Sequence, residues 1–317
     1  MIIDCHVHVS ACTSGHGVMS ETLQRQIAFR FLRWKFGLVG VDEQTERAFE
    51  RILVNTLNET TWIDAAVVLA FDAVYDRDGN YDVPKTHFYV TNDYVIELAK
   101  RHEKMLFGAS VHPFRKDAIA ELERCVKAGA VLLKWLPITQ NFDPSDERCF
   151  EFYEALAHYK LPLLSHTGGE KSLPQLNTAV ADPRLLIPAL ERGVTVIAAH
   201  CGTRSAYGER DYVNEFMQLA REYEHFYGDT SAINLPPRWH AYDLVMNDPT
   251  VSKKLIHGSD WPIISIPPGG KIGWGEALQL MFEPNWIRRD VMVKQKLGFE
   301  RDYWERAGKV LRLPQRV

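Results

Sequence analysis

The chain has 317 residues, 46% of them hydrophobic, which is enough to bury a sizeable core and fits one barrel with insertions. Its formal charge of -4, from 37 basic and 41 acidic residues, provides no broad positive surface to neutralise a phosphate backbone, so no nucleic-acid partner is expected. No apolar run approaches the roughly 18 residues of a membrane helix, and five scattered cysteines without Cys-x-x-Cys spacing indicate neither a disulfide framework nor a zinc knot.

The opening run MIIDCHVHV reads directly as a strand, without the basic segment, apolar stretch and cleavage site of a signal peptide, and leads to the expectation of a cytoplasmic protein. Seven further short apolar runs follow: IDAAVVLAF from Ile63, LFGASVHP from Leu106, AVLLKWLP from Ala130, LPLLSHT from Leu161, VTVIAAHCG from Val194, FYGDTS from Phe226 and LIHGSDWP from Leu255. Most are continuously apolar, as strands covered on both faces require. Helical periodicity lies between them, as in DAIAELERCVKAGA, where Ile119, Leu122 and Val126 recur at helical spacing and Asp117 can cap the start. Strand and helix alternating eight times predict a (β/α)₈ barrel of the TIM type, a single domain over residues 1–317.

Two segments depart from that rhythm. From about residue 10 to 62 the chain carries at least two amphipathic helical stretches, among them ETLQRQIAFRFLRWKFG, where an ordinary connection takes a few residues. Loops after barrel strands line the mouth, so this insertion is a candidate lid or substrate wall, or else an oligomer contact. A C-terminal extension over about 263–317 is expected to be helical from Trp274 to Met281 and from Glu300 to Leu311, and GGKIGWG from Gly269, which lacks Walker spacing, reads as a plain loop.

Successive strand side chains point to opposite faces, so His6 and His8 project together and can reach one ion. His166, His200 and Asp260 each fall at the carboxyl end of a predicted strand, the catalytic face of a barrel. Imidazoles with one carboxylate suit Zn²⁺ first, with Mn²⁺ or Fe²⁺ compatible, and one ion or two. Held there, such an ion brings the pKa of water from about 15.7 to near 7. Asp260 is then both ligand and proton carrier, while His200 either binds metal or holds the water and steadies charge on a carbonyl oxygen.

Lys134 has three readings: a carbamylated bridge between two metals, a free cation for an acidic substrate, or a surface ion pair. His112 and Arg204 are candidate substrate contacts, each with a structural alternative. Asp229 is placed to support a ligating histidine, Trp135 and Trp261 to wall a pocket, and His257, of opposite parity to Asp260, to face outward.

The His-x-His strand, the His of LLSHT, the AHCG strand and the closing GSDWP together resemble the amidohydrolase superfamily, in its amidohydrolase-related (amidohydrolase 2) branch, over Ile2 to Pro262. The resemblance implies a distorted barrel with one or two divalent metals, His6 and His8 as first-strand ligands, His166 as fifth-strand ligand, and Asp260 as eighth-strand ligand and proton shuttle. It places His200 as catalytic in single-metal members and as a ligand in two-metal members, and it puts Lys134 where two-metal members carry a carbamylated lysine. It also implies two chemistries on a small-molecule substrate: hydrolysis of an amide, ester or lactone, and nonoxidative decarboxylation of an aromatic or unsaturated acid. A noncatalytic barrel with a structural metal is the competing class, and a homo-oligomer is compatible with all three.

Overall fold

The computed structural model describes residues 1–313. Its strands are β1 (Ile3–His8), β2 (Gly17–Met19), β3 (Ala65–Leu69), β4 (Phe88–Val90), β5 (Met105–Ala109), β6 (Leu132–Trp135), β7 (Leu163–His166), β8 (Val196–Ala199), β9 (Phe226–Asp229) and β10 (Leu255–Ile256). Eight are parallel in the order β1-β3-β5-β6-β7-β8-β9-β10, with β2 and β4 forming a separate antiparallel pair. The eight coincide with the eight apolar runs, β5 beginning one residue before its run.

Two layers of core explain why those runs are continuously apolar. Ile3, Val67, Leu132, Leu164, Ile197 and Ile256 fill the barrel interior. Their sequence neighbours, such as Val68, Leu133, Leu163 and Val196, pack outward against helices. The ring closes irregularly. Beyond the two-residue β10, Cys5 N donates to His257 O (3.0 Å), Asp260 N to His6 O (2.8 Å) and His8 N to Trp261 O (2.7 Å). These bonds tie β1 to the segment carrying Asp260.

The helices are α1 (Glu21–Arg25), α2 (Ile27–Lys35), α3 (Glu43–Glu59), α4 (Asn92–Arg101), α5 (Ala118–Lys127), α6 (Pro137–Gln140), α7 (Phe150–His158), α8 (Ile187–Glu191), α9 (Val213–Glu222), α10 (His240–Asn247), α11 (Gly269–Ile272), α12 (Trp274–Met281), α13 (Trp286–Lys296) and α14 (Arg301–Val310). Asp117 sits at the N-cap of α5 but its carboxylate holds Arg115 instead of a helix N–H, a correction to the capping expectation. The stretch read as one helix from Glu21 breaks at Gln26, whose backbone is extended (φ -65°, ψ 142°). The expected loop from Gly269 contains the short α11, and α13 was not foreseen. The last four residues of the expected C-terminal extension lie outside the described residues.

In α3, Phe49, Leu53 and Leu57 recur every four residues and are buried, each such side chain contributing roughly 1.5–3 kcal/mol. Phe49 meets Trp261 at 5.0 Å between ring centroids, fastening the insertion to the segment after β10. At the other end of the chain, Ala307 and Leu311 join the interior cluster and Arg312 N donates to Val131 O (3.0 Å), so α14 packs onto the barrel core.

Candidate metal centre

Alternation along β1 is broken where the site begins. Ile3 and Cys5 belong to the interior cluster and Val7 and Val9 to the outer one, so both Cys5 and His6 turn inward. The cause is a bulge: β1 takes three steps from Asp4 to Val7 while β3 takes two from Ala66 to Val68. After it, His6 and His8 share the inner face as their spacing predicts.

Three donor atoms converge there. His6 Nε2 and His8 Nε2 are 3.1 Å apart, and Asp260 Oδ1 lies 3.3 Å from the first and 3.2 Å from the second. His6 Nδ1 donates to Asp229 Oδ2 at 2.7 Å, which puts its proton on Nδ1 and leaves the Nε2 lone pair facing the cluster. His166 Nε2 is buried with no hydrogen-bond partner, and its ring stands 4.9 Å from that of His200. Burial, reinforced by neighbouring positive groups, pushes the His6, His166 and His200 imidazoles well below their ordinary value, so they stand neutral, the form that binds metal. Burial alone would raise the Asp260 carboxyl, but the adjacent His6, His8 and Lys134 outweigh it and hold Asp260 below the usual range. A lone pair, an orphaned buried nitrogen and an ionised carboxylate in one concave place suit a divalent cation. Asp229, His6 and His200 form a second group of donors compatible with one.

Asp229 organises the site from behind. Its Oδ1 accepts from His200 N (2.8 Å), Ser231 N (3.0 Å) and Ser231 Oγ. His200 Nδ1 donates to Ser231 O (2.9 Å), a carbonyl that can only accept, so the remaining proton-free nitrogen of His200 is Nε2. His200 and Asp260 both adopt left-handed backbone, with φ of 59° and 64°, strain of a kind that clusters at functional sites.

Lys134 is fully buried with its Nζ 3.2 Å from His6 Nε2, so it makes no surface ion pair. Burial pulls its ammonium down to about 8. His112 stands apart: Nε2 donates to Gln140 O (3.0 Å), Nδ1 accepts from Phe114 N (3.1 Å), and Phe142 packs 4.8 Å from its ring. Arg204 donates to Pro237 O (3.2 Å) and lies 3.7 Å from Asp211. Neither lines the cavity at the site. Trp135 and Trp261 are core residues rather than pocket walls, and His257 faces outward against Trp304, 4.9 Å away.

That cavity, of about 230 Å³, holds His6, His8, His166, His200 and Asp260 and is roofed by the insertion through residues such as Leu23, Phe29 and Leu32. Three buried groups escaped the sequence reading. Glu170 lines the cavity with Oε2 3.8 Å from His166 Nδ1, and burial raises its carboxyl. Ser231 Oγ lies 2.8 Å from His200 Nδ1, and Arg238 donates to Gly169 O (3.1 Å). The only sequence signal for Glu170 is its place four residues after His166.

The family model described as amidohydrolase matches residues 3–294. No curated protein matches the sequence. Among solved structures, an uncharacterized TIM-barrel protein from Bordetella bronchiseptica shares 17% identity over 96% of this chain and 94% of its own, with a TM-score of 0.63. A protein from Acinetobacter baumannii described as a probable 2-pyrone-4,6-dicarboxylic acid hydrolase shares 16% over 97% and 99%, with a TM-score of 0.58. A dihydroxybenzoic acid decarboxylase from a Polaromonas species, with bound manganese, shares 16% over 94% and 99%, with a TM-score of 0.51. At these identities the likeness establishes the barrel fold.

Proposed function

The chain belongs to the amidohydrolase family, and from that premise we propose that it is a metal-dependent hydrolase of a small-molecule amide, ester or lactone. The observation that carries the proposal is the meeting of His6 Nε2, His8 Nε2 and Asp260 Oδ1 within 3.1–3.3 Å in the lining of a cavity. His6, His8, His166 and Asp260 would hold one divalent ion, zinc being the first choice and manganese or iron compatible with the same donors. Bound there, the ion would supply Lewis acidity and bring the pKa of water from about 15.7 to near 7.

The chain's own groups do the rest. Asp260 points Oδ1 at His6 and His8, which leaves its second oxygen to take a proton from the attacking water and return it to the leaving group. His200, neutral and protonated at Nδ1, can accept a hydrogen bond from that water at Nε2. It therefore serves to hold the nucleophile rather than to donate to an oxyanion. In this scheme Lys134 is an unmodified amine, its Nζ 3.2 Å from His6 Nε2. The apolar side chains of the insertion that line the cavity would limit the water beside these groups and strengthen their electrostatic interactions.

A second reading, nonoxidative decarboxylation, draws support from Glu170. Its carboxyl lines the cavity, with burial raising it from the ordinary value, and is placed where a proton would have to reach the carbon from which carbon dioxide departs. Assays in isotope-labelled water separate the two. Hydrolysis places the labelled oxygen in the acid product, whereas release of carbon dioxide without oxygen incorporation would replace the hydrolase reading.

A further inference from the structure

The cavity wall specifies more than the reacting end. Its carboxylates are Glu46, Glu170 and Asp260, and its one guanidinium is Arg33. Glu46 is already committed, accepting from Cys12 N (2.7 Å) and Thr13 N (2.9 Å) and pairing with His16. Arg33, in α2, donates to Val39 O just past the helix, and Lys134 is not part of the wall. Against these few polar groups the insertion sets Met19, Leu23, Phe29, Phe31, Leu32 and Phe49, and the barrel adds Phe71, Leu136 and Ile263. None of the nine residues of α2 is fully buried; Leu32 packs partly against the core, while Ile27, Phe31 and Trp34 stay exposed, so the fold covers only part of this helix's apolar surface. The volume of about 230 Å³ falls just below the roughly 300–1,000 Å³ of pockets for drug-sized ligands.

We infer that the substrate's non-reacting body is an uncharged, small alkyl or aryl group, and that α2 with α3 forms the wall that selects it. Away from the reacting end, an ionised group would lose its hydration against apolar side chains, with Arg33 as the one guanidinium among the described residues of the wall that could pair with it. An apolar body would cover surface on both sides. Which end of the substrate reacts rests on the hydrolase reading, whereas the chemistry of the body is read from the wall alone.

Calorimetric titration of the full chain with straight-chain methyl ketones, which present a carbonyl but no leaving group, tests this without turnover. Kd is expected to fall about fourfold for each added methylene until the cavity is full, and the corresponding ω-carboxylated ketones to bind at least about a hundredfold more weakly. Phe29→Ala should flatten the gain with chain length while melting like the parent, since Phe29 lines the cavity and belongs to no hydrophobic core cluster. A Kd independent of chain length would overturn the inference. So would ω-carboxylates that bind as well as the neutral ketones and lose that binding in Arg33→Ala, whose Nε has no partner. Steep chain-length dependence without hydrolysis of any ester, amide or lactone would sink the hydrolase reading alone, and hydrolysis with a flat dependence would sink this one alone.

Discussion

Asp229→Asn probes the device that turns His6 into a ligand. In the native protein Asp229 Oδ2 accepts from His6 Nδ1 at 2.7 Å, while Oδ1 accepts from the backbone N–H groups of His200 (2.8 Å) and Ser231 (3.0 Å). An asparagine must keep its carbonyl oxygen towards those two N–H groups, so its amide nitrogen faces His6 and donates. His6 then accepts at Nδ1 and carries its proton on Nε2, the atom 3.1 Å from His8 Nε2 and 3.3 Å from Asp260 Oδ1. The lone pair aimed at the cation is lost, while the bond to His6 survives in reversed sense and those from His200 N and Ser231 N keep theirs. Loss of such a supporting partner costs 10–100-fold in metal affinity, or about 1.4–2.8 kcal/mol. Titration of metal-free protein with Zn²⁺ against a competing chelator reads this directly, and the melting temperature should stay near that of the parent. Asp229→Ala, by contrast, strips the acceptor from two buried N–H groups at about 1–3 kcal/mol each and should also lower the melting temperature. Unchanged zinc affinity in Asp229→Asn would refute the tautomer argument.

Asp260→Asn should lower turnover by roughly 10²–10⁴-fold or more, the range for removal of a general acid–base group, while metal analysis still finds part of the bound ion; activity near the parental level would count against the proton-carrier role. Asp4, whose Oδ1 accepts from His6 N and Ser259 N while burial pushes its carboxyl up to about 7, should make the metal-free fold pH-sensitive. Folded Asp4 keeps a proton that the unfolded chain releases above its ordinary value of 3.8, so stability present at low pH is lost as pH rises to about 7, up to about 4 kcal/mol in all. Asp4→Asn should erase that loss, and the difference in melting temperature between variant and parent should grow from about pH 4 to about pH 7 in the variant's favour; a constant difference would contradict it. With Lys134 unmodified, as proposed above, metal uptake by metal-free protein should not respond to added bicarbonate; uptake that depends on bicarbonate would indicate a carbamate there.

The barrel was legible because burial on both faces makes most of the eight runs continuously apolar, with helical periodicity between them. The pairing of His6 and His8 followed from their two-residue spacing, and the candidacy of His166, His200 and Asp260 from strand ends, since position along a barrel strand determines which end a side chain serves. What stayed hidden depends on backbone that departs from the regular pattern. The bulge that turns both Cys5 and His6 inward has no signature in alternation, and the left-handed turns at His200 and Asp260 occur without glycine. Glu170, Ser231 and Arg238 lie outside the regular strands and enter the site region through tertiary packing, which no local period encodes. The insertion was recognisable as amphipathic helix, but its position over the cavity comes from the contact of Phe49 with Trp261, between residues more than 200 positions apart.

Metal content per chain, measured together with anomalous diffraction at the metal's absorption edge, tests the shared cation site most directly. The expected result is an ion at the barrel mouth with His6, His8, His166 and Asp260 at ligand distances of about 2.0–2.2 Å, and its loss in a folded His6→Ala variant. Protein that stays metal-free when zinc or manganese is supplied, or a His6→Ala variant that keeps full occupancy, would contradict the account.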